Sequence, residues 1–257
     1  MEHKRMGILD GKVALVTGAG QGVGQGIALA LAGEGARLVV AGRTEGKLLE
    51  TVAEIERRGN GPAVAVVCDV MIAADIERCV QAAVDAFGGI DILVNNAQVV
   101  PLGHLLDVSE EHYQEGMDSG PLATLRFMRA CHRYLKGGGS IVNLGSSSSI
   151  RWDPIGYGAY AAAKEAIRAL TRAAACEWGG DGIRVNCILP LAMSPAMDGW
   201  IASRPKEAQA LFRTIPLGRV GDCETDIGRV VVFLCGPDAS YITGHSLPLD
   251  GGQAFMR

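Results

Sequence analysis

The sequence predicts one α/β domain, a doubly wound parallel sheet of about seven strands with helices on both faces. Three observations carry that expectation. Short apolar runs alternate with helix-length segments along the whole chain. The runs are continuously apolar, as strands covered on both faces must be. The first run passes at once through a glycine-rich turn into a helical pattern. No linker, repeat or low-complexity block divides the 257 residues, so residues 1–257 read as a single domain.

Strands are expected at 12–17, 37–41, 63–68, 90–95, 140–145, 183–189 and 246–249. Runs such as Leu38-Val39-Val40-Ala41 and Ile92-Leu93-Val94 suit buried strands. Helices are expected at 22–34, 44–58, 72–87, 109–136 with a break, 157–178 and 223–235. The stretch 190–217 carries four prolines with Met193, Met197, Trp200 and Phe212, and reads as an irregular insertion. It follows the carboxyl end of a strand, where open α/β sheets bind ligands, so a substrate lid is expected there.

The glycine turn is the first element with chemical content. Thr17-Gly18-Ala19-Gly20-Gln21-Gly22-Val23-Gly24 joins a strand to a helix, the context a dinucleotide-binding turn of the Rossmann type requires. Gly18 suits the tight turn, Gly22 lets a pyrophosphate approach the backbone, and Gly24 lets the helix pack on the strand. The helix N-terminus would face the phosphates.

A second constellation lies downstream. Tyr160 and Lys164 are four residues apart in an alanine-rich run, preceded by the serines 146–149. On a helix they share a face. A tyrosine of ordinary pKa, about 10, is a poor acid or base at neutral pH, and a neighbouring ammonium is expected to lower it.

Bulk properties narrow the partners. A net charge of −4 and a pI near 5.8 argue against nucleic acid. No apolar stretch reaches membrane-spanning length, and the first residues lack a signal peptide's apolar core, so a cytoplasmic location without membrane attachment is expected. The seven cysteines form no Cys-x-x-Cys pair, so free thiols and no metal site are expected.

With these pieces in order, the chain resembles the short-chain dehydrogenase/reductase family over nearly its whole length. The matching residues are Thr17–Gly24, Cys68-Asp69-Val70, Asn95-Asn96-Ala97, the serine block, Tyr160 with Lys164, Arg184-Val185-Asn186 with Pro190, and Tyr241-Ile242-Thr243-Gly244 with Asp250-Gly251-Gly252. The resemblance implies a nicotinamide dinucleotide, with Asp69 and Val70 at the adenine, Asn96 and Ala97 under a ribose, and Ser194 near the carboxamide. It implies Tyr160 as general acid/base, Lys164 on the nicotinamide ribose, and a serine on the substrate oxygen. Counting forward from strand 140–145 makes that serine Ser146; counting back from Tyr160 makes it Ser147. The forward count is preferred because a strand end is more rigid than the following loop. The resemblance also implies a homo-oligomer, a dimer or tetramer.

NADP(H) is expected over NAD(H). Where NAD-selective members place an acid after the second strand, this chain has Gly42, followed by Arg43, whose planar fork suits a phosphate. Three positions depart from the family: Gln98 replaces a glycine, Gly120 replaces a helix asparagine, and Leu191 replaces the glycine opening the lid. The expected pocket lining (Gln98, Val99, Ile150, Trp152, Tyr157, Met193, Met197, Trp200) is mainly apolar, so a small apolar ketone or secondary alcohol, cyclic or steroid-like, is the expected substrate. The alternative is a nicotinamide-cofactor-binding regulatory protein on the same scaffold with little catalysis.

Overall fold

The computed structural model describes residues 7–151 and 156–254. Seven parallel strands form one sheet in the order β3-β2-β1-β4-β5-β6-β7. They are β1 (Val13–Thr17), β2 (Arg37–Gly42), β3 (Ala63–Val67), β4 (Ile92–Asn95), β5 (Ser140–Leu144), β6 (Arg184–Pro190) and β7 (Ser246–Leu249). The intervening helices are α1 (Gly22–Gly33), α2 (Glu45–Arg57), α3 (Ala73–Phe87), α4 (Glu110–Met117), α5 (Ala123–Leu135), α6 (Gly158–Trp178), α7 (Pro195–Ser203), α8 (Pro205–Phe212) and α9 (Arg229–Cys235).

The unbroken apolar runs have a direct cause. Along β1, Ala14 and Val16 enter one core with α1 and α9, while Leu15 enters the other with α3 and α5. On β2, Leu38 and Val40 likewise oppose Val39 and Ala41. Strand side chains alternate between faces, and both faces are covered, so the central positions of β1 and β2 are all apolar.

One expected detail is sharpened and another is corrected. The break in the 109–136 helix is a π-turn, Asp118–Leu122, between α4 and α5. Pro121 sits inside it, and a residue without an N–H loosens the helical bonding there. The 190–217 insertion is largely helical rather than irregular. Pro195 and Pro205 stand in the first turn of α7 and α8, where a missing N–H carries no penalty. Proline clusters there open helices instead of excluding them.

The strand order reverses between β1 and β4, so their carboxyl ends, Thr17 and Asn95, flank a crevice. Ligands of open α/β sheets bind at such a switch point.

Candidate active site

The glycine turn is held by the residues that follow β4. Thr17 Oγ1 accepts from the backbone amides of Asn96 (3.0 Å) and Ala97 (3.1 Å). The Asn96 side-chain amide donates to the carbonyls of Thr17 (2.9 Å) and Gly18 (3.1 Å). Gly18 and Gly22 have φ of +65° and +58°, which L side chains avoid. At Gly24 a Cβ would stand 2.3 Å from the Gly18 carbonyl oxygen and 2.4 Å from Asn96 Nδ2, so the helix can approach only without a side chain.

Above this turn opens a cavity of about 400 Å³. Gly18, Gln21, Gly22, Val23, Gly24, Arg43, Asp69, Val70, Asn96, Ala97 and Ser194 all line it. Thr17 braces the turn from behind, and Tyr160 and Lys164 are not part of the lining. The Asn96 amide is engaged by the turn, so its role in this structure is to shape the site. Asp69 Oδ1 accepts from the Met71 amide at 3.0 Å, holding the loop after β3 against the cavity. Ser194 Oγ caps α7 by accepting from the Met197 amide at 3.3 Å.

These residues fit a dinucleotide. Gln21, the residue before α1, is extended and provides no side-chain cap, which leaves the first-turn amides available to an anion. Lys47, on the first turn of α2, lines the cavity with Arg43 and donates to Gln21 Oε1. Sequence reasoning missed Lys47, although its spacing from Arg43 at a helix start was a readable signal.

The second constellation forms where β5 ends. Lys164, buried at 4 % exposure, donates from Nζ to the Leu144 carbonyl at 2.7 Å. Its Nζ lies 5.4 Å from the Tyr160 ring centroid. Burial pushes the ammonium down to about 8. The phenol of Tyr160 moves the other way, up to about 12, because desolvation outweighs a hydrogen bond with Ser146 that lowers it. The expected lowering of the tyrosine by Lys164 is thus not what this geometry produces. Helical spacing brings both side chains to one face, but the ammonium is drawn to the strand carbonyl.

The structure also separates the two serines. Ser146 hydrogen-bonds Tyr160. Ser147 Oγ instead donates to Asp250 Oδ2 at 2.8 Å, within a buried carboxylate that also accepts from the amides of Gly252, Gln253 and Ala254. Ser147 therefore ties the last turn of the chain to β5 and does not join the Tyr160 group.

Around Tyr160 the surface is apolar. The Tyr157 and Tyr160 rings meet edge-on at 6.0 Å. A Cβ on Gly158 would stand 2.8 Å from Leu105, which places the 99–108 loop over the start of α6. Leu105 and Leu106, both on that loop, are exposed. Sequence reasoning missed the two leucines because nothing local marks a loop as crossing a distant helix. Trp152, expected in the same lining, lies outside the described residues.

A phosphate-ready cavity at a sheet switch point, with a hydroxyl pair and a buried amine close by, defines a dinucleotide-binding oxidoreductase scaffold. A family model described as enoyl-(acyl carrier protein) reductase matches residues 18–254. The chain belongs to the short-chain dehydrogenase/reductase family and is an oxidoreductase of the alcohol–carbonyl type. It is 43% identical over 256 residues to a 12alpha-hydroxysteroid dehydrogenase of a Clostridium species, covering 96% of this chain and 98% of that protein. A putative short-chain alcohol dehydrogenase from Sinorhizobium meliloti superposes with a TM-score of 0.90 at 40% identity, over 95% of this chain and 97% of the other. A short chain dehydrogenase from Burkholderia cenocepacia, solved with NADP, gives 0.88 at 32% identity over 95% and 98%.

Proposed function

We propose that the protein is an NADP(H)-dependent oxidoreductase interconverting a ketone and a secondary alcohol on a small, largely apolar, cyclic or steroid-like substrate. The observation that carries this reading is the Tyr160–Ser146 hydroxyl pair beside buried Lys164. Ser146 and Tyr160 hold the substrate oxygen, and charge developing on it is stabilised by their hydroxyls. Because its pKa is raised, the phenol stays protonated at neutral pH and serves as proton donor to a ketone. In the reverse direction it receives the alcohol proton once ionised. A nicotinamide, when bound, would supply the hydride chemistry at the carbon, and Lys164 would hold its ribose.

Arg43 and Lys47 favour the 2′-phosphate form of the cofactor, supported by a related dehydrogenase solved with NADP. The steroid-like substrate is supported by the activity named for the Clostridium relative and by the exposed Leu105 over the start of α6. The insertion at 190–217 acts as the substrate lid. Assembly into a dimer or tetramer is part of the same proposal: α6 exposes Ala162 and Ala173, small residues that permit close helix approach. So is a cytoplasmic location; among the described residues no helix is long and apolar enough to cross a membrane.

The test is a panel of hydroxysteroids and cyclic ketones followed by nicotinamide absorbance, with Tyr160→Phe as control. Turnover abolished by Tyr160→Phe supports the enzyme. Dinucleotide binding without turnover on any carbonyl class would favour the regulatory alternative. Arg43→Ala should weaken NADPH much more than NADH, and equal weakening would remove the cofactor assignment.

A further inference from the structure

Two departures from the family turn out to be one feature. Gly120 lies buried in the π-turn, and the carboxamide of Gln98 lies across it. A Cβ at position 120 would stand 2.7 Å from Gln98 Nε2, 2.9 Å from Cδ and 3.2 Å from Oε1. The side chain missing from the helix is replaced in space by one reaching over from the segment after β4.

That segment is stitched at both ends. Asn96 and Ala97 hold the glycine turn, while the Val99 amide donates to Ser119 Oγ at 3.0 Å, which in turn donates to the Glu115 carbonyl at 2.6 Å. Gln98 Nε2 points at the Gly116 carbonyl, 3.4 Å away. Its Oε1 is buried with no hydrogen-bond partner. A buried acceptor without a donor is costly, and this one belongs to a residue of the cavity wall, where a bound group can satisfy it. Gln98 and Ser119 line the dinucleotide cavity next to Asn96 and Ala97.

From this we infer that Gln98 is a cofactor-contact residue: its side-chain oxygen accepts a hydrogen bond from the nicotinamide riboside half of the dinucleotide, and Gly120 is the vacancy that lets it do so. The terminal torsion of a glutamine is soft, so the amide turns toward the cavity wall without backbone movement. Residues 98 and 120 then act as one unit.

The inference rests on the cofactor reading above, and the experiment separates the two. Binding of NADPH and of adenosine 2′,5′-bisphosphate, which lacks the nicotinamide half, is measured by calorimetry for wild type, Gln98→Met, Gly120→Ala and the double variant. A neutral hydrogen bond of about 0.5–1.5 kcal/mol predicts a roughly two- to tenfold loss of NADPH affinity in Gln98→Met. The bisphosphate should bind as before. Gly120→Ala should produce the same selective loss, because the new Cβ displaces the flexible amide end. In the Gln98→Met background it should add little. Equal losses for both ligands, no loss for either, or additive effects in the double variant would overturn the inference. Should wild type bind neither ligand, the cofactor reading itself fails. Thermal melting identifies a variant that has simply lost its fold, and the other single variant then carries the test.

Discussion

Replacing Lys164 by Met removes a buried charge while keeping the length of the side chain. Lys164 is 4 % exposed, and its ammonium has a strand carbonyl at 2.7 Å. Its pKa falls from 10.5 to about 8 in the fold. At about 1.4 kcal/mol per unit, that gap amounts to about 3 kcal/mol. Below pH 8 both folded and unfolded chains carry the charge, and the fold bears the whole penalty. Between 8 and 10.5 the unfolded chain holds the proton more tightly, so stability rises with pH. Above 10.5 the penalty is gone. Lys164→Met should lack this rise, although it leaves the Leu144 carbonyl without its donor, a pH-independent loss of about 1–3 kcal/mol. Urea unfolding of both proteins from pH 7 to 10.5 gives the difference curve. Partly buried thiols such as Cys223 and Cys235, pushed up to about 11 and 12, destabilise both proteins in alkali and largely cancel in the difference. The difference should shift by about 3 kcal/mol in favour of wild type as pH rises. A flat difference curve would refute the account of Lys164 as a desolvated cation.

The serines should divide by readout: Ser146→Ala lowers kcat by about 10²–10³ with little change in stability, whereas Ser147→Ala costs about 1–3 kcal/mol in urea unfolding through the lost Asp250 bond, and the reverse pattern would reassign them. Gly24→Ala should lose about 1–3 kcal/mol and dinucleotide affinity together, since its Cβ meets backbone at 2.3 Å; full retention of both would contradict the close approach. In ultraviolet difference titration against Tyr160→Phe, the ligand-free phenol should ionise near pH 12 rather than below 10, as its raised pKa requires.

Much of the fold was legible because burial on two faces writes itself as unbroken apolar runs. Leu38–Ala41 and Ile92–Val94 are strands for that reason. The segment 190–217 departs from the irregular insertion expected of it because a proline cluster marks helix starts as readily as loops.

The sequence by itself determined the sheet, the glycine turn, and a tyrosine and lysine on one helix face, since each depends on residues close along the chain. Only the tertiary structure decided which serine meets Tyr160 and that Asp250 holds the other one. It alone brought Gln98 over Gly120 and set Lys164 on a strand carbonyl. Those outcomes depend on contacts between distant segments and on how far burial strips water from a charge, and neither is encoded in local spacing.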